Sequence, residues 1–99
     1  MNNEYIQERL ARAARCLKVV AHPTRLMIIH LLGAGELSVQ ELEKAVGISQ
    51  SSVSQHLGLL RDKEILESRR VGQQVFYRLR DPRLLQLTAI TRELFCRKE

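Results

Sequence analysis

The sequence predicts a mainly α domain with one small β-hairpin: four helices, two strands and a closing helix. Three observations carry that prediction. Apolar residues recur at three- and four-residue steps over most of the chain, and glycine, proline and serine punctuate them at short intervals. In a single stretch after Leu66 the period falls to two, as a hairpin requires.

The first helix runs from Glu4 to Val20, where Ile6, Leu10, Ala13, Ala14, Leu17 and Val20 make one apolar stripe. His22 precedes Pro23, which suits a first helical position because its missing N–H is not needed there. The nearly apolar run Leu26 to Leu32 then makes a second helix, expected to be buried on most sides, before Gly33 and Gly35 stop it. Ser38-Val39-Gln40-Glu41 is a capping box, so a short third helix runs from about Val39 to Val46 and ends at Gly47. Ser49 caps the fourth, whose inward stripe is Val53, Leu57 and Leu60. Between these two lies Gly47-Ile48-Ser49, the short glycine-containing turn of a helix-turn-helix.

From Leu66 the chain alternates. Leu66, Ser68 and Arg70 take one face and Glu67, Arg69 and Val71 the other, Gly72-Gln73 can turn, and Val75, Tyr77 and Leu79 then alternate with Phe76, Arg78 and Arg80. Asp81-Pro82 offers a cap and a first-turn proline for the last helix, whose stripe is Leu84, Leu87, Ile90, Thr91, Leu94 and Phe95. With no repeat or linker, residues 1–99 read as a single domain, and the order of elements is that of a winged helix-turn-helix.

Composition narrows the function. A 99-residue chain that is 44% hydrophobic supports one modest core and favours an oligomer. Sixteen Lys and Arg against eleven Asp and Glu give a formal charge of +5, which points toward an anionic partner. No run approaches the roughly 18 apolar residues of a membrane span, and the N-terminus has no apolar signal core, so a cytoplasmic protein without a membrane partner is expected. Two cysteines are too few for a disulfide scaffold, and Cys16 and Cys96 are expected as thiols. There is no Ser/His/Asp set, carboxylate pair or Gly-rich phosphate loop, so neither an enzyme nor a cofactor is expected.

The start of the fourth helix is unusually rich in small polar residues: Ser49, Gln50, Ser51, Ser52, Ser54, Gln55 and His56. Ser51, Ser54 and Gln55 lie away from the apolar stripe, near the end that a recognition helix presents to base edges in the major groove of double-stranded DNA. Ser52 and His56 fall toward phosphate or the helix flank, and the free amides at the helix start suit a phosphate oxygen. The alternative is a solvated face beside an N-cap. On the wing, Arg69, Arg70, Gln73 and Arg78 are placed to reach phosphates or a minor groove; for Arg69 and Arg70 the competing reading is a solvated charge pair on an edge strand.

The stretches LKVVAHPTRLMIIHLL, GELSVQELEKAVGISQSSVSQHLGLLRDKEIL and SRRVGQQVFYRLRDPR together resemble the ArsR/SmtB family of bacterial winged-helix repressors. The resemblance implies a homodimer held by the first and last helices, bound to a palindromic operator and released by an inducer. Leu10, Ala13 and Leu17 with Leu87, Thr91 and Leu94 are the expected interface; serving the monomer core alone is the other reading. The family's helix-three metal site resembles E-L-C-V-C-E-L, but here that stretch is Glu36-Leu37-Ser38-Val39-Gln40-Glu41-Leu42, without either thiolate. Its last-helix zinc site needs histidines, and Leu84 to Glu99 contains none, so no metal is expected at either place.

RLMIIHLL, SQSSVSQHLGLLR and LFCRKE are similar to the sulfide- and redox-responsive subgroup, which resembles R-L-x-I-L-C-x-L in helix two and ends in F-C or Y-C. Cys96 matches the second cysteine, whereas His30 stands at the first. Cys16 is a candidate substitute, so three readings stay open: a thiol sensor of Cys16 with Cys96, two buried or idle thiols, or a soft-metal or metalloid site that adds His30 or His22. His30, in an apolar run, is expected as a hydrogen-bonded core histidine, and His22 as a capping or surface residue. The function expected is a dimeric repressor released by thiol modification. A regulator with no small inducer, a winged-helix protein-interaction module and a non-specific nucleoid binder are the other readings.

Overall fold

The structure, a computed structural model, describes residues 3–96. Helices α1 (Asn3–Val20) and α2 (Pro23–Leu32) are followed by strand β1 (Leu37–Ser38), helices α3 (Val39–Val46) and α4 (Gln50–Asp62), strands β2 (Leu66–Val71) and β3 (Gln74–Leu79), and helix α5 (Leu84–Phe95). No helix is long and apolar enough to cross a membrane among the described residues.

The core is one cluster. Ile28, Ile29 and Leu32 of α2, Leu42 of α3, and Val53, Leu57 and Leu60 of α4 meet Ile65, Leu66 and Tyr77 from the sheet side. The stripe expected on α4 is the stripe that is buried. Burying one such aliphatic side chain contributes roughly 1.5–3 kcal/mol, so these residues fix where α4 lies. α1 behaves differently, since Val20 in its last turn is its only fully buried residue.

Local signals in the sequence form as expected around α3 and α4. The capping box is complete: Ser38 Oγ accepts from the Glu41 N–H at 3.1 Å, and Glu41 Oε1 accepts from the Ser38 N–H at 2.8 Å. Gly47 ends α3 in the left-handed region at φ 79°, where a side chain would be strained. His22 caps α2, its Nδ1 accepting from the Thr24 N–H at 3.1 Å. Gly33 lets α5 approach closely, because a Cβ there would meet the end of the Leu85 side chain and oblige it to shift.

Three expectations need correction. The hairpin is part of a three-stranded antiparallel sheet, order β1-β3-β2, because Leu37 and Ser38 pair with Tyr77 and Phe76. α5 starts at Leu84 and not at Pro82: Asp81 Oδ1 accepts from the Arg83 N–H at 2.9 Å, which makes a turn ahead of the helix, and no side chain caps α5 itself. His30 is exposed, because the α2 face that carries it and Met27 points away from the core. The continuation of α5 to the C-terminus falls at residues 97–99, outside the described residues.

Candidate nucleic-acid interface

Helix α4 divides by face. Val53, Leu57 and Leu60 are 0% exposed, while Gln50, Ser51, Ser54 and Gln55 are exposed on the other side. Ser49 is the N-cap: its Oγ accepts from the Ser52 N–H at 3.3 Å and lies 3.0 Å from Ser52 Oγ and 3.3 Å from Ser51 Oγ. Ser49 and Ser52 therefore have part of their hydrogen-bonding capacity engaged in forming the helix start. Gln50, Ser54 and Gln55 have no side-chain hydrogen bond among the described residues and keep all their donors and acceptors for a ligand. His56 is half-buried against α2 rather than free on the flank, its Nδ1 accepting from Arg25 Nε at 3.1 Å.

The wing is held by its own charges. Arg69 makes a bidentate pair with Glu36, Nε to Oε2 at 2.8 Å and Nη2 to Oε1 at 2.7 Å, with its guanidinium 5.4 Å from the Phe76 ring. Arg78 sits opposite Glu67 in the register and donates twice to its Oε2, at 3.0 and 2.7 Å. These contacts hold the Glu36 carboxyl below its ordinary value, chiefly through the Arg69 hydrogen bond, and push Arg69 up through the same bond. Arg70 faces the other side of β2, exposed and without an ion pair among the described residues, and Gln73 is exposed in the turn. Of the four wing residues, two brace the hairpin and two are unengaged.

Leu10, Ala13, Leu17 and Leu94 are exposed in the single chain, Leu10 at 64% and Leu94 at 62%. Tyr5, Met27, Ile90 and Phe95 widen this bare apolar set beyond the residues that spacing selected. Leu87 packs partly against the core, and the Thr91 hydroxyl donates to Leu87 O or Thr88 O within its own helix.

Cys16 and Cys96 are both exposed free thiols, which leaves the reading of them as buried hydrophobes without support. Cys16 lines a shallow groove with Lys63, Arg80, Leu84 and Leu87, near the start of α5. Cys96 follows the last turn of α5, about 13 Å of helix beyond Leu87 at 1.5 Å per residue. Among the described residues, no group of three His, Cys, Asp or Glu converges to hold a metal ion, so the soft-metal reading finds no assembled site.

Sequence reasoning passed over Arg25. It donates from Nη1 to the Val19 carbonyl at 2.9 Å as well as from Nε to His56, so it ties the end of α1 to α4. An arginine between Thr24 and Leu26 carries no pattern that would have revealed this.

Known proteins share both the sequence and this architecture. Residues 22–68 match the family described as bacterial regulatory protein, arsR family. The biofilm growth-associated repressor of Xylella fastidiosa is 42% identical over 99 residues, all of this chain and 87% of that protein. The transcriptional activator HlyU of Vibrio cholerae is 35% identical over 96 residues, 97% of this chain and 89% of that one. The crystal structure of the transcriptional repressor BigR from Xylella fastidiosa superposes with a TM-score of 0.83 at 43% identity, covering 97% of this chain and 98% of that chain. With a helix-turn-helix, a wing and these relatives over almost its full length, the chain belongs to the ArsR family and is a winged helix-turn-helix DNA-binding transcriptional repressor, not an enzyme.

Proposed function

We propose that two copies of this chain form a cytoplasmic homodimer that reads a palindromic operator with α4 and holds the backbone with the wing. One observation carries the reading: Gln50, Ser54 and Gln55 stand exposed and unengaged over a stripe that is entirely buried. Gln and Ser offer both donors and acceptors, as base edges demand, and the α4 face has no acidic residue before Asp62, which disfavours a protein-interaction module. A non-specific binder would want lysine at the helix start, where this chain has none. The bare apolar faces of α1 and α5 support the dimer, since a monomer with side chains as exposed as Phe95, at 79%, leaves that surface in water.

Release follows from thiol chemistry at Cys16 and Cys96. A persulfide or hydrogen peroxide takes two electrons and two protons from a pair of thiols as their S–S bond forms, and its own S–S or O–O bond breaks to give a thiol and hydrogen sulfide, or two waters. A disulfide needs Cα atoms roughly 4.4–6.8 Å apart; Cys16 of α1 lies in the groove at the start of α5 and Cys96 follows its other end, which favours a bridge between subunits, or separate modification, over one within a chain.

Two measurements test this. Operator fragments selected from a random pool are expected to bind far more tightly than random DNA across a salt series; equal affinity at every salt concentration overturns the specific repressor. Intact mass after persulfide treatment should show added sulfur or lost hydrogen at Cys16 and Cys96 together with weaker binding. Modified protein that binds DNA unchanged overturns the thiol sensor.

A further inference from the structure

Three polar side chains meet behind the recognition helix, outside the DNA-facing set. His56 of α4 accepts at Nδ1 from Arg25 Nε at 3.1 Å, so its proton sits on Nε2. His22 accepts at Nδ1 from the Thr24 N–H at 3.1 Å, which fixes the same tautomer. The two rings lie with centroids 4.8 Å apart, tilted by 49°. Arg25 completes the cluster by donating from Nη1 to the Val19 carbonyl at 2.9 Å, in the last turn of α1. One guanidinium thus joins α1, α2 and α4.

Both imidazoles must be neutral for this arrangement. A proton on His56 Nδ1 would set an N–H against the Arg25 N–H at hydrogen-bond distance, with a second positive charge beside the first. A proton on His22 Nδ1 would remove the α2 cap. Burial holds the His56 imidazole below its ordinary value, and the charges acting on it from the elements packed against it, those of Arg25 and then His22, push in the same direction. No carboxylate compensates nearby in sequence: α2 has no acidic residue, α4 none before Asp62, and Glu4 and Glu8 lie three turns or more from Val19 along α1.

We propose that Arg25, His22 and His56 form a proton-sensitive latch that positions α4 for base readout, closed while the His56 imidazole is neutral and opened by its protonation. It rests on the reading of α4 as the base-reading helix. Arg25 and His56 are positioning residues that touch no DNA. The sign of the pH dependence separates this role from the alternative for His56, a phosphate contact. A histidine that donates to phosphate gains affinity on acidification, whereas the latch loses it.

The experiment measures the affinity of the full chain for a selected operator fragment at about pH 7.5, 6.5 and 5.5, across the range where histidine titrates. The wild-type protein is expected to lose affinity progressively over that range, toward a limit of about tenfold, the factor typical of one hydrogen bond involving a charged group, reached only below the depressed His56 value. His56→Gln keeps a neutral acceptor for Arg25 and should hold its affinity within about twofold. His30→Gln, at an exposed position outside the cluster, should behave as the wild type. Acidification that strengthens binding, or a His56→Gln variant with the full wild-type pH dependence, overturns the latch.

An NMR titration of the free wild-type protein decides the matter without any variant or operator. Backbone amides of α4 should shift together with the His56 imidazole, which should titrate below the ordinary histidine range. Amides of α4 that stay fixed through that titration overturn the latch. A protein with no sequence preference at pH 7.5 would break the base-reading assignment, yet this titration would still report on the latch by itself.

Discussion

The recognition helix and the wing carry the same kind of cargo, polar side chains turned toward solvent, yet they are secured in opposite ways. α4 is anchored from beneath by three aliphatic residues with no exposure at all. The wing is tied from the outside, Arg69 to Glu36 and Arg78 to Glu67, by pairs that stand in water. Apolar burial is insensitive to salt and fixes position closely, whereas exposed pairs are screened and yield. Base edges discriminate only when donors and acceptors are accurately placed, and phosphate contacts tolerate play. On the proposed reading, each region has the anchorage that its part in DNA recognition asks for.

The largest expected effect breaks the anchorage of α4. Leu57→Ala removes a fully buried side chain from the centre of the core and should cost about 2–5 kcal/mol, read as a fall in the denaturation midpoint. Arg69→Ala, at an exposed position, should leave that midpoint nearly unchanged. If the two variants lost equal stability, the contrast between a core-anchored helix and a surface-braced wing would collapse.

The same contrast explains which parts of the molecule were legible in its sequence. α3 and the start of α4 lie within a residue of where the sequence puts them, because the capping box at Ser38, the left-handed Gly47 and the Ser49 cap are local devices, each written in a few adjacent residues. β1 was not, since two residues have no period and Leu37 and Ser38 are extended only through pairing with a strand almost forty positions away. Asp81 misled for a related reason. A carboxylate before proline fits a cap or a turn equally well, and here its bonds to Arg83 select the turn and hold its carboxyl down to about 2.

At the interface, spacing placed Ser51, Ser54 and Gln55 opposite the buried stripe of α4, but could not show that Glu36 engages Arg69 from a different part of the chain. His30 was placed in the core from its apolar neighbours alone. Its exposure beside Met27 comes from the direction in which α2 turns that face.

A smaller effect sharpens the division between reading and holding. Gln55→Ala should cost about 1–3 kcal/mol of discrimination between operator and a single-base variant, with the salt dependence of binding unchanged. Arg70→Ala should do the reverse, weakening operator and random DNA alike and reducing the slope of log affinity against log salt by about 0.9, the value for one phosphate contact. Arg70 has no ion pair among the described residues, so the same substitution at Arg78, already neutralised by Glu67, should change the slope less. Equal slopes for the two variants would place both arginines on phosphate and end the distinction between bracing and unengaged wing residues.

The smallest effect comes from releasing a brace instead of deleting a cation. Glu36→Gln removes the carboxylate that holds Arg69, leaving an exposed arginine at the base of the wing and one more positive charge on the protein. Because the pair stands in water, thermal stability should not change measurably. Affinity for random DNA should rise slightly at low salt, and the gain should vanish as salt increases, since a freed guanidinium adds a screened attraction. Acidification should reproduce this gain for random DNA in the wild-type protein, but only well below the pH range in which histidine titrates. The Glu36 carboxyl is held below its ordinary value, so the pair is intact at neutral pH and lost only as pH falls through that depressed value. A Glu36→Gln variant with weaker low-salt binding would mean that Arg69 contacts DNA only when Glu36 positions it, and the brace would then be part of the binding surface.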